Sequence, residues 1–450
     1  MKRDAIDFES NDIGRLFRKL LVPTLLGTLS MSAMTAIDGI IVGQGVGPEG
    51  VAAVNIVVPI YTLMSGIALM VGAGCSVVSS IHLAKQKLKV ARLNITQALI
   101  ASSLTATLIC AIILLFPRQI FELLGASPTL MPHVMSYTLW LMPGFVFEMF
   151  GLIGLFIIRL DGAPRYAMWC NIIPAVLNAL LDWVFVFPMG MGVEGAGIAT
   201  AICMVLGGIM ALGYLLVPRH KLSIVMPKFS LKSLRLSLRN IGYQCRIGVS
   251  SLMGELSLAI LVYVGNLVFM SMLGDNGVAA FGISCYYTPF FFSVGNSIAQ
   301  SAQPIISYNY GIERWDRVGR VRRMLLTTSF IVGAIVTLLF IFVPEWLVGL
   351  FVDVNSTAAV IAIEGFPYYA TGIIFFILNV AIIGYYQSIE RVGRAMFITA
   401  LRGFLFIVPA FILLPQLWGA AGMWLAMPVA ELVTLMVVVT MIATRKKIRG

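Results

Sequence analysis

Three stretches of the chain, positions 50–84, 276–312 and 403–430, contain no Asp, Glu, Lys or Arg. Each is longer than the roughly 20 apolar residues that carry an α-helix across a bilayer. Across the whole sequence only 11% of residues are charged and 59% are hydrophobic, where a water-soluble domain carries about 25% charge. That deficit excludes an ordinary soluble fold and predicts transmembrane helices. The net charge of +11 does not point to a nucleic-acid partner, because such proteins show their basic residues on a soluble face and this chain has few.

The start of the chain is polar, with Lys2, Arg3, Asp4, Asp7, Glu9 and Asp12, and the apolar run from Leu20 is too long for a signal-peptide core. The first apolar segment is therefore expected to stay as a helix. Five of the six cysteines (Cys75, Cys110, Cys170, Cys203, Cys285) fall inside apolar runs and Cys245 beside one, with no CxxC or CxxH pair. They read as small packing residues rather than metal or redox groups.

With Gly, Pro and charges as punctuation, the apolar windows give twelve spans: 17–42, 51–82, 93–116, 130–158, 166–187, 194–217, 245–272, 277–308, 323–344, 358–388, 396–415 and 419–443. Several exceed the crossing length, so tilt or kinks are expected, with Pro23, Pro59, Pro143, Pro174, Pro289, Pro304 and Pro367 as the kink candidates. If both termini are placed inside, 29 of the 31 Lys and Arg fall in inner segments; Arg118 is outside and Arg402 lies near the inner end of span eleven. The positive-inside rule supports this orientation and the count together, since a missed span would invert every later loop. No outer loop forms a domain, so function is expected within the bundle.

The sequence also repeats itself. Gly50-Val51-Ala52-Ala53 returns as Gly277-Val278-Ala279-Ala280, Ala167-Met168 as Ala395-Met396, and Gly195-Ala196-Gly197 as Ala420-Ala421-Gly422, at offsets of 227, 228 and 225. This predicts an all-α membrane protein of two parallel six-helix lobes around a central cleft. The N-lobe is expected over 1–217 and the C-lobe over 245–450. Between them lies a cytoplasmic linker, 218–244, whose Leu231, Leu234 and Leu238 alternate with Lys232, Arg235 and Arg239 in the pattern of a basic amphipathic helix.

Six of the 20 acids fall within spans: Asp38, Glu148, Asp182, Glu255, Glu364 and Glu431. An ionised carboxylate at the bilayer centre costs at least about 2.5–3.5 kcal/mol, and basic residues are expected to be absent from the helix cores, so these acids must be protonated, cation-bound or wet. Asn178 and Asp182, at i and i+4, share a face of span five. Thr200 in span six and Asp38 in span one would complete a cluster of two carboxylates, an amide and a hydroxyl. Such oxygens suit a hard cation such as Na⁺, and two neighbouring carboxylates can also hold a proton between them; hydrogen bonding between helices is the structural alternative. Glu255, Glu431 and Glu148 are secondary acidic candidates, whereas Glu364 is expected near the outer interface. Tyr263, Tyr286, Tyr287 and Phe290 are candidates to line a cavity for flat organic cations.

These residues resemble the multidrug and toxic compound extrusion (MATE) family over essentially the whole chain. The resemblance rests on Pro23 with Asp38, Gly43, Gly50-Val51-Ala52-Ala53-Val54, Arg159-Leu160-Asp161-Gly162, Leu177-Asn178 with Leu181-Asp182, and Gly192 to Thr200. In the second half it rests on Tyr385-Tyr386-Gln387, Arg402 and Gly422-Met423-Trp424-Leu425-Ala426. It implies a secondary antiporter, not an enzyme, that exports amphipathic and often cationic drugs or toxic metabolites in exchange for Na⁺ or H⁺ by alternating access. It implies a monomer in the lipid bilayer of the plasma membrane (the inner membrane of a Gram-negative cell), both termini cytoplasmic, with no cofactor beyond the coupling ion. The family's first-lobe coupling residues correspond to Asp38, Asn178, Asp182 and Thr200, and Pro23 to a proline that bends span one. A second-lobe site would need an acid in span ten beside Glu255, where Phe376, Ile377, Leu378 and Asn379 stand instead; first-lobe coupling is therefore favoured. The alternatives are a lipid-linked precursor flippase, which would want a cationic cavity, and a membrane-embedded aspartyl enzyme.

Overall fold

In lipid an apolar chain must close its hydrogen bonds internally, and in the computed structural model of this protein helices and turns account for the fold, with no strand among the described residues. The structure describes residues 7–9, 11–226 and 230–448; Lys2, Arg3, Asp4, Lys228 and Arg449 of the charge map lie outside them. The first half comprises α1 (Ile13–Gly45), α2 (Pro48–Ala84), α3 (Leu88–Leu115), a short α4 (Pro117–Leu123), α5 (Met131–Leu160), α6 (Pro164–Val186) and α7 (Gly192–Leu216). The second comprises α8 (Leu231–Gly311), α9 (Trp315–Phe342), a short α10 (Pro344–Gly349), α11 (Thr357–Ala370), α12 (Ile373–Ser388), α13 (Val392–Ala400), a π-helical turn (Leu401–Leu405) and α14 (Ile407–Ile448).

Among the described residues nine helical stretches are long and apolar enough to cross a membrane, and α11 with α12 forms one more that bends by 49°. Two of the nine are interrupted: α8 at Gly274, and the last stretch at Trp418 and Gly419. Counting each interrupted stretch as two spans gives the twelve crossings expected. Gly274 (φ 62°, ψ −154°) and Gly419 (φ 56°, ψ −134°) turn the chain in a region that side chains with a Cβ avoid. Of the kink candidates, Pro367 precedes the bend at Thr371 and Gly372, whereas α5 and α6 run on through Pro143 and Pro174.

The repeat seen in the sequence extends to the backbone. Positive φ recurs at Gly47 and Gly274, at Gln86 and Glu313, at Gly192 and Gly419, and at Gly162 and Glu390, each pair separated by the spacing of the sequence repeat. The Gln86, Gly162, Glu313 and Glu390 turns share one hydrogen-bond pattern. In each the next residue's N–H reaches back five positions, as from Lys87 to the His82 carbonyl (2.8 Å) and from Arg391 to that of Tyr386 (2.9 Å), the 6→1 bond of a Schellman motif. The short helices α4 and α10, which the apolar windows do not reveal, begin at Pro117 and Pro344, again at the repeat spacing.

The chain forms two compact units: one runs to Leu252 and includes Pro304–Val318, and the other holds Met253–Gln303 and Gly319 onward. In the first unit α5 lies along α7 through small residues. Gly144 faces Ala201 and Met204, Gly154 faces Ala211, and Gly208 abuts the Phe147 carbonyl, so that an added Cβ would collide. Close backbone approach of this kind holds helices together where no hydrophobic force distinguishes helix from lipid. The segment after α7 is fastened to α3 and α5. Arg92 Nε donates to the Lys221 carbonyl (2.7 Å), Leu222 N–H to Asp161 Oδ1 (2.9 Å) and Val225 N–H to Thr96 Oγ1 (3.1 Å). Ser230 then caps α8, which continues without a break to Gly274. The second unit is built around rings: Phe269 stacks on Phe281 at 4.6 Å, and Trp424 meets Phe269 edge-on at 4.9 Å.

Candidate functional site

Helix α1 runs beside α6 in the same direction, with Gly27 against Asn171 and Gly45 against Val186. Between these contacts the Asp38 carboxyl meets that of Asp182. Asp182 and Asn178 are fully buried and Thr200 is nearly so. Asp38 Oδ1, both Asp182 oxygens, both Asn178 amide atoms and Thr200 Oγ1 are buried and meet no hydrogen-bond partner among the described residues. Two carboxyls side by side, with no basic side chain beside them among the described residues, are compensated when a proton or cation joins them.

One member of this cluster escaped the sequence reading. Tyr137 of α5 is 5% exposed, and its hydroxyl lies by Thr200 and within electrostatic reach of Asp38 and Asp182. Its backbone carbonyl lies against Gly197, one turn from Thr200. The available signal was its spacing from Glu148, about three helical turns, which puts both on one face of α5.

The secondary acids do not join the cluster. Glu148 lies in the same unit, where Ser65 Oγ donates to its Oε1 at 3.2 Å. Glu255 and Glu431 belong to the other unit. Glu364 is exposed. Glu431 corrects the expectation that helix cores lack basic residues. It is 3% exposed, as is Arg402, whose Nε and Nη2 donate to Glu431 Oε1 at 2.9 and 2.7 Å. Asn379 Nδ2 adds a bond to Oε2 at 2.7 Å, and the guanidinium carbon sits 4.1 Å from the Phe376 ring centroid. Arg402 lies in a π-helical turn, Leu401–Leu405, and is buried there.

Of the aromatic candidates, Tyr263 and Tyr286 are exposed by 66% and 64%. Tyr286 stacks on Phe351 at 5.2 Å, Tyr287 donates its hydroxyl to the Leu347 carbonyl at 2.9 Å, and Phe290 packs edge-on to Phe291. Among the described residues no group of three His, Cys, Asp or Glu is placed to hold a metal ion.

Twelve crossings in two repeated halves, with acids buried among the helices, define a multi-pass membrane transporter. The MatE family profile matches residues 23–184 and 252–412, and the chain belongs to that family. It is similar to a FAD transporter of Shewanella oneidensis, at 24% identity over 96% of this chain and 94% of that protein. It is also similar to the multidrug export protein MepA of Staphylococcus saprophyticus, at 24% identity over 94% and 92%. Among solved structures, a multidrug resistance MATE family transporter in an outward-facing conformation shares the fold with a TM-score of 0.87, at 23% identity over 95% of this chain and 94% of that one. A MOP superfamily transporter from Pyrococcus furiosus does so with a TM-score of 0.88, at 21% identity over 97% and 96%.

Proposed function

We propose that this protein is a secondary active exporter of amphipathic, often cationic organic compounds, driven by Na⁺ or H⁺ bound at Asp38 and Asp182. The observation that carries this reading is the enclosed carboxyl pair, with Asn178, Thr200 and Tyr137 near it and, among the described residues, no basic side chain to neutralise it. An ion entering from outside compensates the pair and favours the state that releases drug; drug loading from inside favours the state that releases the ion. Coupling requires the ion to bind one state more tightly than the other. One monovalent cation moving down 100 mV supplies about 2.3 kcal/mol before its concentration gradient is counted. Pro23, buried in α1 and without an N–H for the preceding turn, is where that helix would bend. The chain works as a monomer with both termini cytoplasmic, its N-lobe and C-lobe joined through the segment 218–244, which runs on into the first helix of the second half.

Ethidium or norfloxacin efflux from everted vesicles, under separately imposed Na⁺ and H⁺ gradients, tests the reading. Asp38→Asn and Asp182→Asn are expected to abolish gradient-driven efflux, with Glu255→Gln largely active; full activity in both Asp variants would sink the mechanism. The likeness to a FAD transporter favours one further arm, export of FAD by the same vesicles. FAD efflux without efflux of either drug would replace the cationic substrate class.

A further inference from the structure

In the first unit a second carboxyl, half-buried as a residue but with one oxygen fully enclosed, lies among the helices. Glu148 stands near the middle of α5, well removed from both ends of that helix. Ser65 Oγ of α2 donates to its Oε1 at 3.2 Å, and the Tyr61 hydroxyl, one turn earlier on α2, faces the same carboxyl. Its Oε2 is buried and meets no partner. Among the described residues Glu148 has no ion-pair partner. The Lys, Arg and His residues of α5 and of the helices packed against it stand near helix ends, and the titratable groups close to this carboxyl are Tyr61 on α2 and, next to Tyr61, Tyr137 on α5. Neither phenol can neutralise a carboxylate. An ionised group at this depth costs about 2.5–3.5 kcal/mol even on a lenient scale, which favours the protonated acid. The Ser65 hydroxyl on one oxygen and the Tyr61 hydroxyl beside it suit a carboxyl that holds and releases a proton.

The placement of Glu148 joins it to the Asp pair. Tyr137 lies about three turns earlier on the same face of α5, about 16 Å along the axis, with its hydroxyl by Thr200 and within electrostatic reach of Asp38 and Asp182. Tyr61 reaches into the interval from α2, its ring 6.1 Å from that of Phe145, and is within electrostatic range of both Glu148 and Tyr137. A phenol accepts a proton on its oxygen as it gives up its own. We propose that Glu148, Ser65 and Tyr61 form a second proton-holding site in the first unit, in series with the Asp38 and Asp182 pair through Tyr137. One transfer moves one proton: the neutral Glu148 acid becomes a carboxylate, Tyr61 and Tyr137 each accept one proton as they give up their own and end unchanged, and an Asp carboxylate of the pair becomes the neutral acid. The proposal rests on the coupling role given above to the Asp pair. It adds a station at mid-depth, so that substrate binding is answered at two carboxyl sites.

Infrared difference spectroscopy of the full-length protein in lipid nanodiscs reads these groups separately. Spectra are taken on acidification and on addition of tetraphenylphosphonium, for wild type, Glu148→Gln, Ser65→Ala, Tyr61→Phe and the double variant Asp38→Asn with Asp182→Asn. Glu148→Gln is expected to remove one carboxylic-acid C=O band, and Ser65→Ala to shift the same band while keeping it. Tyr61→Phe should slow that band's response to tetraphenylphosphonium and leave the Asp bands at their wild-type rate. Glu148→Gln spectra that superimpose on wild type, beside Asp bands that respond, would overturn this site alone. A Glu148 band that responds in the double Asp variant as it does in wild type would overturn the series arrangement and leave the coupling role of the Asp pair, read from efflux, standing. An unchanged rate in Tyr61→Phe would overturn the path.

Discussion

Arg402 and Glu431 illustrate how much one buried charge depends on its partner. Three nitrogen-to-oxygen contacts of 2.7–3.2 Å and the Phe376 ring replace the water both groups have lost. Removing one partner leaves the other charged in the core, so Arg402→Ala is expected to destabilise the protein by about 3–5 kcal/mol, whereas replacing both by Met should cost far less. Thermal unfolding in detergent measures both. Asp38 and Asp182 were legible in the sequence because an acid inside an apolar window declares its cost, and Asn178 because it stands one helical turn from Asp182. Arg402 was not, because it stands near the end of its apolar window and its partner lies in the following span, beyond a turn of the chain. Tyr137 was hidden for the opposite reason: a tyrosine in an apolar span carries no penalty that marks it. Its hydroxyl is worth about 0.5–1.5 kcal/mol if it supports the occupied Asp pair, so Tyr137→Phe should weaken coupling-ion affinity about two- to tenfold, read from the ion dependence of efflux.

At the scale of elements, the turns divide into those that need glycine and those that tolerate a side chain. Glu390 occupies the left-handed region at φ 56°, while Gly162, its counterpart in the first half, does so at φ 90°. Left-handed backbone costs a residue with a Cβ about 1–2 kcal/mol. Glu390→Gly is therefore expected to raise stability, less the greater freedom glycine has when unfolded. Gly274→Ala should lower it by about 1–3 kcal/mol, because its ψ of −154° falls where only glycine is at ease. Where α2 crosses the start of α8, Gly74 abuts the Gln244 carbonyl and Gly248 abuts that of Met70. Alanine at either position would force the backbones apart, at about 1–3 kcal/mol. Helix number and turn positions were readable because charge, Gly and Pro punctuate the apolar windows. The short helices α4 and α10 were not, since so few residues cannot show a period.

For the whole molecule, the repeat recognised from three short sequence matches is written more fully in the backbone. Side chains have diverged, as Gln86 and Glu313 show, while the turn that each closes is the same. Topology follows from this regularity together with the basic inner loops: green fluorescent protein fused after residue 448 is expected to fluoresce, and alkaline phosphatase inserted at Gly190 to be active. The reverse pattern would invert the orientation on which ion entry and drug exit are assigned. The ion pair also bears on how the last spans enter the membrane. Arg402 is made first, and alone it resists partition by about 2.5–3.5 kcal/mol. The turn at Trp418 and Gly419 folds Glu431 back onto it, so the two spans leave the insertion machinery as one neutralised hairpin, and a chain ending at Leu417 should hold its final span poorly in the bilayer.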